Sequence, residues 1–273
     1  GDEIFIFGFS RGAYAARALA AMIHATGLLP PHQGHLFDYA WAMLQARESR
    51  KERKARLARA AREGREEREE RESRDRKPDF KLQRHFKASF GRAVKVNFLG
   101  LFDTVKSVGW IYDPVIIPYT TSNPVVERVR HAVSIDERRC FFRQHLWSDK
   151  PSQRTDVKQV WFAGVHSDIG GGYDPEEAQL ALLALRWMLG EATPAGLRLI
   201  PQRVRRRLAP LPRVRADPGG KLHDSMTAPW LIAEWVPQRV WSAGHARRHW
   251  EIGAMPPFRR PRARFGPADV GVH

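Results

Sequence analysis

The sequence predicts an α/β fold with a mostly parallel sheet between layers of helices. Three apolar segments predict strands of that sheet, because strands buried on both faces read as continuous apolar runs. They are residues 4–7, 94–102 and 159–165. Ser10, Asp103 and His166 follow the three segments. Because ligands bind beyond the carboxyl ends of strands in open α/β sheets, we expect these residues to lie near a site.

The first segment leads into the pattern Gly8-x-Ser10-x-Gly12 and then into residues 13–23, which are rich in the strong helix formers Ala and Leu. A serine between a strand and a helix in this pattern is typical of a nucleophile elbow. We expect both glycines to let the helix pass close to the strand. The alternative is an ordinary serine in a glycine-rich turn. The patterns of phosphate-binding loops are absent from this sequence.

The composition is that of a chain with one sizeable core. With 273 residues, 42% of them hydrophobic, the sequence favours one catalytic domain over residues 1–273. No apolar run reaches the length of a membrane span. Cys140 is the only cysteine, which excludes an internal disulfide and leaves the cellular compartment open.

The net charge of +16 raises the question of a nucleic-acid partner, so its location matters. Residues 47–77 contain 14 Lys or Arg and 9 Asp or Glu, and residues 198–264 contain 15 and 4. The remainder, which holds the candidate site, is neutral. We therefore expect an anionic membrane surface, rather than nucleic acid, to be what the basic segments attract.

The remaining elements follow from local patterns. Residues 47–77 predict a charged, solvated helical insert, because Glu residues there have Lys or Arg within four positions. We expect helices at residues 36–44, 80–90, 124–134 and 175–190, the last ended by Gly190. Residues 198–273 are a basic, Arg- and Pro-rich segment. The apolar loop 108–119 either lines a pocket for an apolar substrate or packs on the core.

Ser10, Asp103 and His166 occur in the order of the α/β-hydrolase triads. A serine needs an imidazole to accept its proton during attack, and a carboxylate orients that imidazole. The backbone amide of Arg11, the residue after the nucleophile, is the expected oxyanion donor. We expect a second donor from a loop upstream of Gly1.

Other residues compete for these roles. Asp168 is either a supporting acid or a rival of Asp103, and His223 is the rival base. For His131 and His145 the sequence favours surface or supporting positions over catalytic ones. His166, Asp168 and Asp174 are metal-ligand residue types, but their spacing fixes no ligand geometry. We predict neither a metal nor a cofactor.

Several stretches resemble the Tle1-like catalytic domain, the DUF2235 α/β-hydrolase family, which includes phospholipase effectors of the bacterial type VI secretion system. They are residues 9–13 (Phe-Ser-Arg-Gly-Ala), 100–105 (Gly-Leu-Phe-Asp-Thr-Val), 131–138 (His-Ala-Val-Ser-Ile-Asp-Glu-Arg), 164–173 (Gly-Val-His-Ser-Asp-Ile-Gly-Gly-Gly-Tyr) and 222–225 (Leu-His-Asp-Ser). The resemblance implies an α/β-hydrolase-like sandwich with a Ser-Asp-His triad. It also implies that the N-terminal strands of the family lie outside this sequence.

The resulting hypothesis is a serine hydrolase of carboxylic esters, with phospholipids as the substrate class that the resemblance implies. Two alternatives remain: an esterase of small molecules with the same fold, and a non-enzymatic basic protein that binds nucleic acid or anionic membrane. The resemblance further implies a bacterial protein, made in the cytoplasm and delivered by a secretion system. A secretion-apparatus protein or an immunity protein would then be its partner.

Overall fold

A computed structural model describes residues 2–45, 80–105, 109–110, 113–114, 117–148, 154–208, 217, 219–242 and 247–252. Its strands are β1 (Phe5–Phe9), β2 (Phe98–Phe102), β3 (Gly109–Trp110), β4 (Asp113–Pro114), β5 (Arg128–Ser134), β6 (Asp156–Phe162), β7 (Gln238–Ser242) and β8 (Arg247–Glu251). Its α-helices are α1 (Arg11–Thr26), α2 (Phe37–Gln45), α3 (Phe80–Phe90), α4 (His166–Gly170), α5 (Gln179–Ala192), α6 (Pro201–Leu208) and α7 (Ala228–Ala233). Short 3-10 helices cover Pro31–Leu36, Cys140–Phe142 and Pro175–Glu177.

The central sheet has four parallel strands in the order β1-β2-β5-β6, with helices on both sides. In the register of the sheet, Phe9 lies beside Phe102, Phe102 beside Ala132, and Ser134 beside Phe162. The carboxyl ends of all four strands therefore meet along one edge. This arrangement confirms the predicted α/β fold and its parallel sheet.

The core under one face of the sheet is formed largely by α5. Met188 and Ala192 of this helix pack with Phe98 of β2, and Ala184 packs with Ala132 of β5 and Ile169 of α4. Small alanines let the helix approach the sheet closely, while the larger side chains fill the space between them. The packing fixes α4 against the sheet edge on which the strands end.

The chain forms two compact units: residues 1–17, 95–115 and 121–273 in the first, and residues 18–94 and 116–120 in the second. The second unit contains α2 and α3, where Gln83 donates a hydrogen bond to the carbonyl of Met43 and the rings of Tyr39 and Phe86 pack at 5.8 Å. The charged insert at 47–77 lies outside the described residues. The expectation of one catalytic domain stays a prediction.

The predicted helix at 124–134 is wrong, because residues 128–134 form strand β5 in the centre of the sheet. Its three charged or ionisable residues, Arg128, Arg130 and His131, obscure the apolar run expected of a central strand. The structure accommodates Arg130 by pairing it with Asp156 at 2.7 Å and with Glu191 of α5. Pairing with two neighbouring strands thus overrides a weak local preference.

Helix ends agree with the sequence at α1 and differ at α5. Gly27, whose residue type is typical of a helix stop, has φ 74° and follows α1 directly. Only glycine adopts this conformation readily, which explains the stop. The predicted stop at Gly190 is wrong, because α5 continues to Ala192 and is capped by Thr193.

No helix among the described residues is both long enough and apolar enough to cross a membrane.

The two glycines that flank Ser10 differ in what they contribute. A Cβ atom on Gly8 would collide with the backbone carbonyl of Gly12 and with the backbone of Ala13. A Cβ atom on Gly12 would meet nothing within 4 Å. Gly8 therefore permits the close passage of α1 over β1, whereas the space around Gly12 does not require a glycine.

This difference yields a paired prediction. We expect Gly8→Ala to lower the free energy of unfolding by about 1–3 kcal/mol, the typical cost of overpacking. Gly12→Ala, its matched control, should leave that free energy unchanged or raise it by up to about 1 kcal/mol, because alanine favours helix. Urea denaturation of both variants measures the effect. Equal changes in the two variants would contradict the close passage at Gly8.

Candidate active site

Ser10 lies in the sharp turn between β1 and α1. Its backbone has φ 59°, a left-handed conformation that residues other than glycine rarely adopt. The turn is held by the amide of Ser10, which donates a hydrogen bond to the carbonyl of Phe102 on β2 at 3.0 Å. Strained backbone of this kind persists where the surrounding structure overdetermines it, and it clusters at functional sites.

Asp103 follows β2 and also has a positive φ, 36°. Its amide donates to the carbonyl of Ala132 at 2.7 Å, and its side chain is fully buried. Ser134, the last residue of β5, donates twice to this carboxylate: its amide binds Oδ1 at 3.0 Å and its hydroxyl binds Oδ2 at 2.8 Å. Because a buried carboxylate is costly without hydrogen bonds, Ser134 stabilises Asp103 in place.

His166 is the first residue of α4 and joins the other two side chains. Its Nδ1 lies 2.7 Å from Oδ2 of Asp103, and its Nε2 lies 2.8 Å from Oγ of Ser10. The ring is buried between Phe9 and Phe142, whose ring centroids lie at 4.6 and 4.8 Å. The structure thus brings together three residues that the sequence separates by up to 156 positions.

The partners of the two ring nitrogens determine what this arrangement can do. A carboxylate accepts hydrogen bonds, so in neutral His166 the proton belongs on Nδ1, facing Asp103. The lone pair of Nε2 then points at the hydroxyl of Ser10. This geometry allows Ser10 to transfer its proton to His166 when the oxygen attacks a substrate.

Arg11 opens α1, so its amide belongs to the first helical turn, where backbone amides have no partner within the helix. The predicted oxyanion donor therefore lies one residue after Ser10 at a helix N-terminus.

The structure does not bring His223 to Ser10. Its Nδ1 lies 2.6 Å from Oδ1 of Asp168 and its Nε2 lies 3.0 Å from Oε2 of Glu177. Burial lowers the pKa of His223, but the hydrogen bonds with Glu177 and Asp168 outweigh it and raise that pKa above its ordinary value. Asp168 in turn lies in the helix that begins at His166, and its Oδ2 accepts the amide of Val165 at 3.0 Å.

Glu137 is a further buried carboxylate next to the site. Its Oε2 accepts the amide of His166 at 3.2 Å, and Arg139 binds both of its oxygens, at 2.9 and 2.7 Å. Burial opposes the charged form of Glu137, but the hydrogen bonds from the side chain and the amide of Arg139 hold its pKa below the ordinary value. The guanidinium of Arg139 also lies 3.6 Å from the ring centre of Phe142, which packs on His166.

The sequence interpretation missed Ser134 and Glu137. Ser134 was hidden because its strand was predicted to be a helix. Glu137 was hidden because its contact with His166 spans 29 residues of chain, and no local pattern shows such a contact. Both residues lie in the stretch 131–138 that carries part of the family resemblance, and that was the available signal.

The structure also describes the two histidines that the sequence placed at surface or supporting positions. His131 is fully buried, and its Nε2 accepts the amide of Thr104, the residue after Asp103, at 3.2 Å. His145 packs on Tyr14 with ring centroids 5.6 Å apart. Five of the twelve residues of the loop 108–119 lie outside the described residues: 108, 111, 112, 115 and 116. Within the part of the chain that the structure describes, no three His, Cys, Asp or Glu side chains form a group suited to a metal ion.

The chain is similar to several known proteins. The family model described as "T6SS, Phospholipase effector Tle1-like, catalytic domain" matches residues 1–191. A protein of Saccharomyces cerevisiae, "Uncharacterized protein YEL023C", is 37% identical over 158 residues, which are 55% of this chain and 19% of the yeast protein. The chain therefore spans about a fifth of the length of this curated relative.

Two solved structures are also similar to parts of the chain. An uncharacterized protein from Pseudomonas aeruginosa is 28% identical, with a TM-score of 0.34, and the match covers 41% of this chain and 20% of that one. The Tle1 effector bound to the VgrG spike of the type 6 secretion system is 24% identical, with a TM-score of 0.32, and the match covers 64% of this chain and 25% of that one. Because the family model spans well over half of the sequence, this chain belongs to the family of Tle1-like phospholipase effector catalytic domains.

Proposed function

We propose that this protein hydrolyses carboxylic ester bonds of phospholipids through an acyl-enzyme, with Ser10 as nucleophile, His166 as base and Asp103 as the orienting acid. The observation that carries the proposal is the continuous hydrogen-bonded path from Oγ of Ser10 through the imidazole of His166 to the buried carboxylate of Asp103. The family to which the chain belongs is described by a phospholipase activity, which supports a lipid substrate.

In the first step, Oγ of Ser10 forms a bond to the ester carbonyl carbon while its proton moves to Nε2 of His166. The bond between that carbon and the alcohol oxygen then breaks, and His166 returns the proton to the leaving alcohol. In the second step, water attacks the carbonyl carbon of the acyl-Ser10 ester and gives a proton to the same nitrogen. The bond between that carbon and Oγ of Ser10 then breaks, and His166 returns the proton to Oγ, which releases the fatty acid and restores Ser10. Asp103 stabilises the imidazolium that forms in both steps.

The negative charge on the carbonyl oxygen in each step needs hydrogen-bond donors already in place. The amide of Arg11, at the N-terminus of α1, is the donor that we propose, and the positive end of the helix dipole supports it. Such a donor is typically worth about 2.7–4 kcal/mol in the transition state.

An apolar cavity of about 350 Å³ beside the site supports a substrate with an acyl chain. Its lining combines aromatic residues of β1 and β2 with α5 and with the glycines after His166; it includes Phe7, Phe9, Phe102, Gly170, Leu182 and Leu185. Phe9 belongs to both the cavity and the candidate site, since its ring lines the cavity and contacts the ring of His166.

Delivery and partners are proposals of the same kind. The family description names type VI secretion, and the solved Tle1 effector is bound to a VgrG spike. We propose that this chain is delivered by such an apparatus and contacts a spike protein during delivery. Loss of delivery when the spike gene is deleted, with expression unchanged, is the expected result.

The first test of the activity is Ser10→Ala in the full-length protein. Wild type should release fatty acid from phospholipid vesicles, and the variant should lose roughly 10⁴–10⁶-fold in kcat, because the nucleophile is gone. A fluorophosphonate probe, which labels an activated serine, should mark wild type and not the variant. Ser148→Ala, which removes a hydroxyl from a loop serine, is the matched control. Undiminished turnover by Ser10→Ala would refute the proposal.

The chain length of the substrate separates lipid hydrolysis from hydrolysis of small esters. We expect kcat/KM to be higher for long acyl chains than for short ones, because the apolar cavity contacts only the former. A preference for short, soluble esters would favour the small-molecule esterase instead.

A second variant tests the role of Asp103 through the residue that holds it. Ser134→Ala removes the hydroxyl bond at Oδ2 of Asp103 but keeps the amide bond at Oδ1. Since a hydrogen bond to a charged group is worth about 1.5–3 kcal/mol, kcat should fall roughly 10- to 100-fold with little change in KM. Ser134→Thr retains the hydroxyl and should recover part of the loss. Full activity in Ser134→Ala would show that orientation of Asp103 does not limit turnover.

A further inference from the structure

Two buried carboxylates bind the backbone that carries His166. Oδ2 of Asp168 accepts the amide of Val165 at 3.0 Å, and Oε2 of Glu137 accepts the amide of His166 at 3.2 Å. Asp168 is 1% exposed and Glu137 is 0% exposed, so neither interaction is weakened by water. These two amides immediately precede the imidazole, so their positions set where its ring lies.

A single distant segment binds both carboxylates. Nδ1 of His223 lies 2.6 Å from Oδ1 of Asp168, and the amide of His223 donates to Oδ2 at 3.3 Å. Two residues later, the hydroxyl of Ser225 donates to Oε1 of Glu137 at 3.1 Å. We call His223 and Ser225 the clamp pair.

The environment of His223 keeps its ring fixed. Tyr173 stacks on the imidazole with ring centroids 3.6 Å apart and planes 12° apart. Carboxylates face both ring nitrogens, Asp168 from α4 and Glu177 from the neighbouring 3-10 helix, and each pairs best with an N–H donor. Among the described residues, two further charged groups lie close by in the chain: Lys221, which pairs with Glu177, and Asp224, which pairs with Arg138.

We propose that the clamp pair are positioning residues, which hold His166 against Ser10 by fixing Asp168 and Glu137. This inference rests on the proposed function and deepens it. Catalytic groups must lie within about 0.5 Å of their productive position, and such precision requires supporting side chains that are themselves held. His223 and Ser225 reach the site through two independent carboxylates, so each contributes separately to the position of α4.

Kinetics test the clamp pair in the full-length protein. Ser225→Ala and His223→Gln should each lower kcat roughly tenfold or more and leave KM within about twofold, because substrate contacts are unchanged. Ser225→Thr, which keeps the hydroxyl, should restore most of the loss. Asp224→Asn is the matched control, since Asp224 lies between the two residues but is 67% exposed. Unchanged kcat in both clamp variants would overturn the inference.

Amide hydrogen exchange tests the same inference without relying on activity. The amides of Val165 and His166 should exchange several-fold faster in Ser225→Ala and His223→Gln than in wild type, and at the wild-type rate in Asp224→Asn. If Ser10→Ala retains full turnover, the proposed function fails, and the exchange rates still decide whether the clamp pair holds α4. Unchanged exchange at both amides overturns the inference even if the protein is an active hydrolase.

The raised pKa of His223 gives a pH-dependent readout. A pKa above the unfolded value of about 6.5 means that the stabilisation is fully present below that pH and is lost as pH rises through the folded pKa. The free energy of unfolding of wild type should therefore exceed that of His223→Gln at pH 6, and the difference should shrink as pH rises. Urea denaturation across pH measures this difference. A difference that does not change with pH would contradict a charged His223 between Asp168 and Glu177.

Discussion

The register of the four parallel strands is the constraint on which the candidate site depends. Because β1, β2 and β5 end side by side, the next residues of the first two, Ser10 and Asp103, emerge at one edge of the sheet. Ser134 ends β5 at the same level and binds Asp103. A shift of one strand by a single residue would turn its side chains to the opposite face and separate the three groups. The register that pairs the strands of the sheet therefore also sets the geometry of the site.

Burial makes the hydrogen bonds around the site decisive. Asp103, Glu137 and Asp168 are all almost fully enclosed, and an unpaired carboxylate in such surroundings would be very costly. Each is satisfied by backbone amides and side chains from elements far apart in the chain. A network of this kind stabilises one arrangement strongly, because removing any single partner leaves a charge with an unmet requirement.

Part of this structure could be predicted from the sequence. Ser10, Asp103 and His166 were predictable because each follows an apolar segment that reads clearly as a strand, and the order of the three residues has a chemical meaning. Strand β5 was not predictable in the same way. Asp156 and Glu191 stabilise the buried Arg130, and no local pattern in the sequence predicts that these partners lie next to it.

The supporting residues were hidden for related reasons. Ser134 was predicted to lie in a helix, and the roles of Glu137 and Ser225 depend on contacts across 29 and 88 residues of chain. His223 was considered as a base because histidines are common in that role, whereas the structure surrounds it with carboxylates. Contacts between residues far apart in the chain are the feature that is hardest to predict from a single sequence without homologues.

The connection between β1 and β2 occupies residues 10–97, yet these two strands are direct neighbours in the sheet. The entropic cost of closing a loop grows only with the logarithm of its length, so this excursion can gain or lose tens of residues at little expense. Ser10 stands at its start, Asp103 follows the strand into which it leads, and both are placed by the ladder between the two strands. The crossover can therefore vary between relatives in length and in charge, while the positions of Ser10 and Asp103 stay the same.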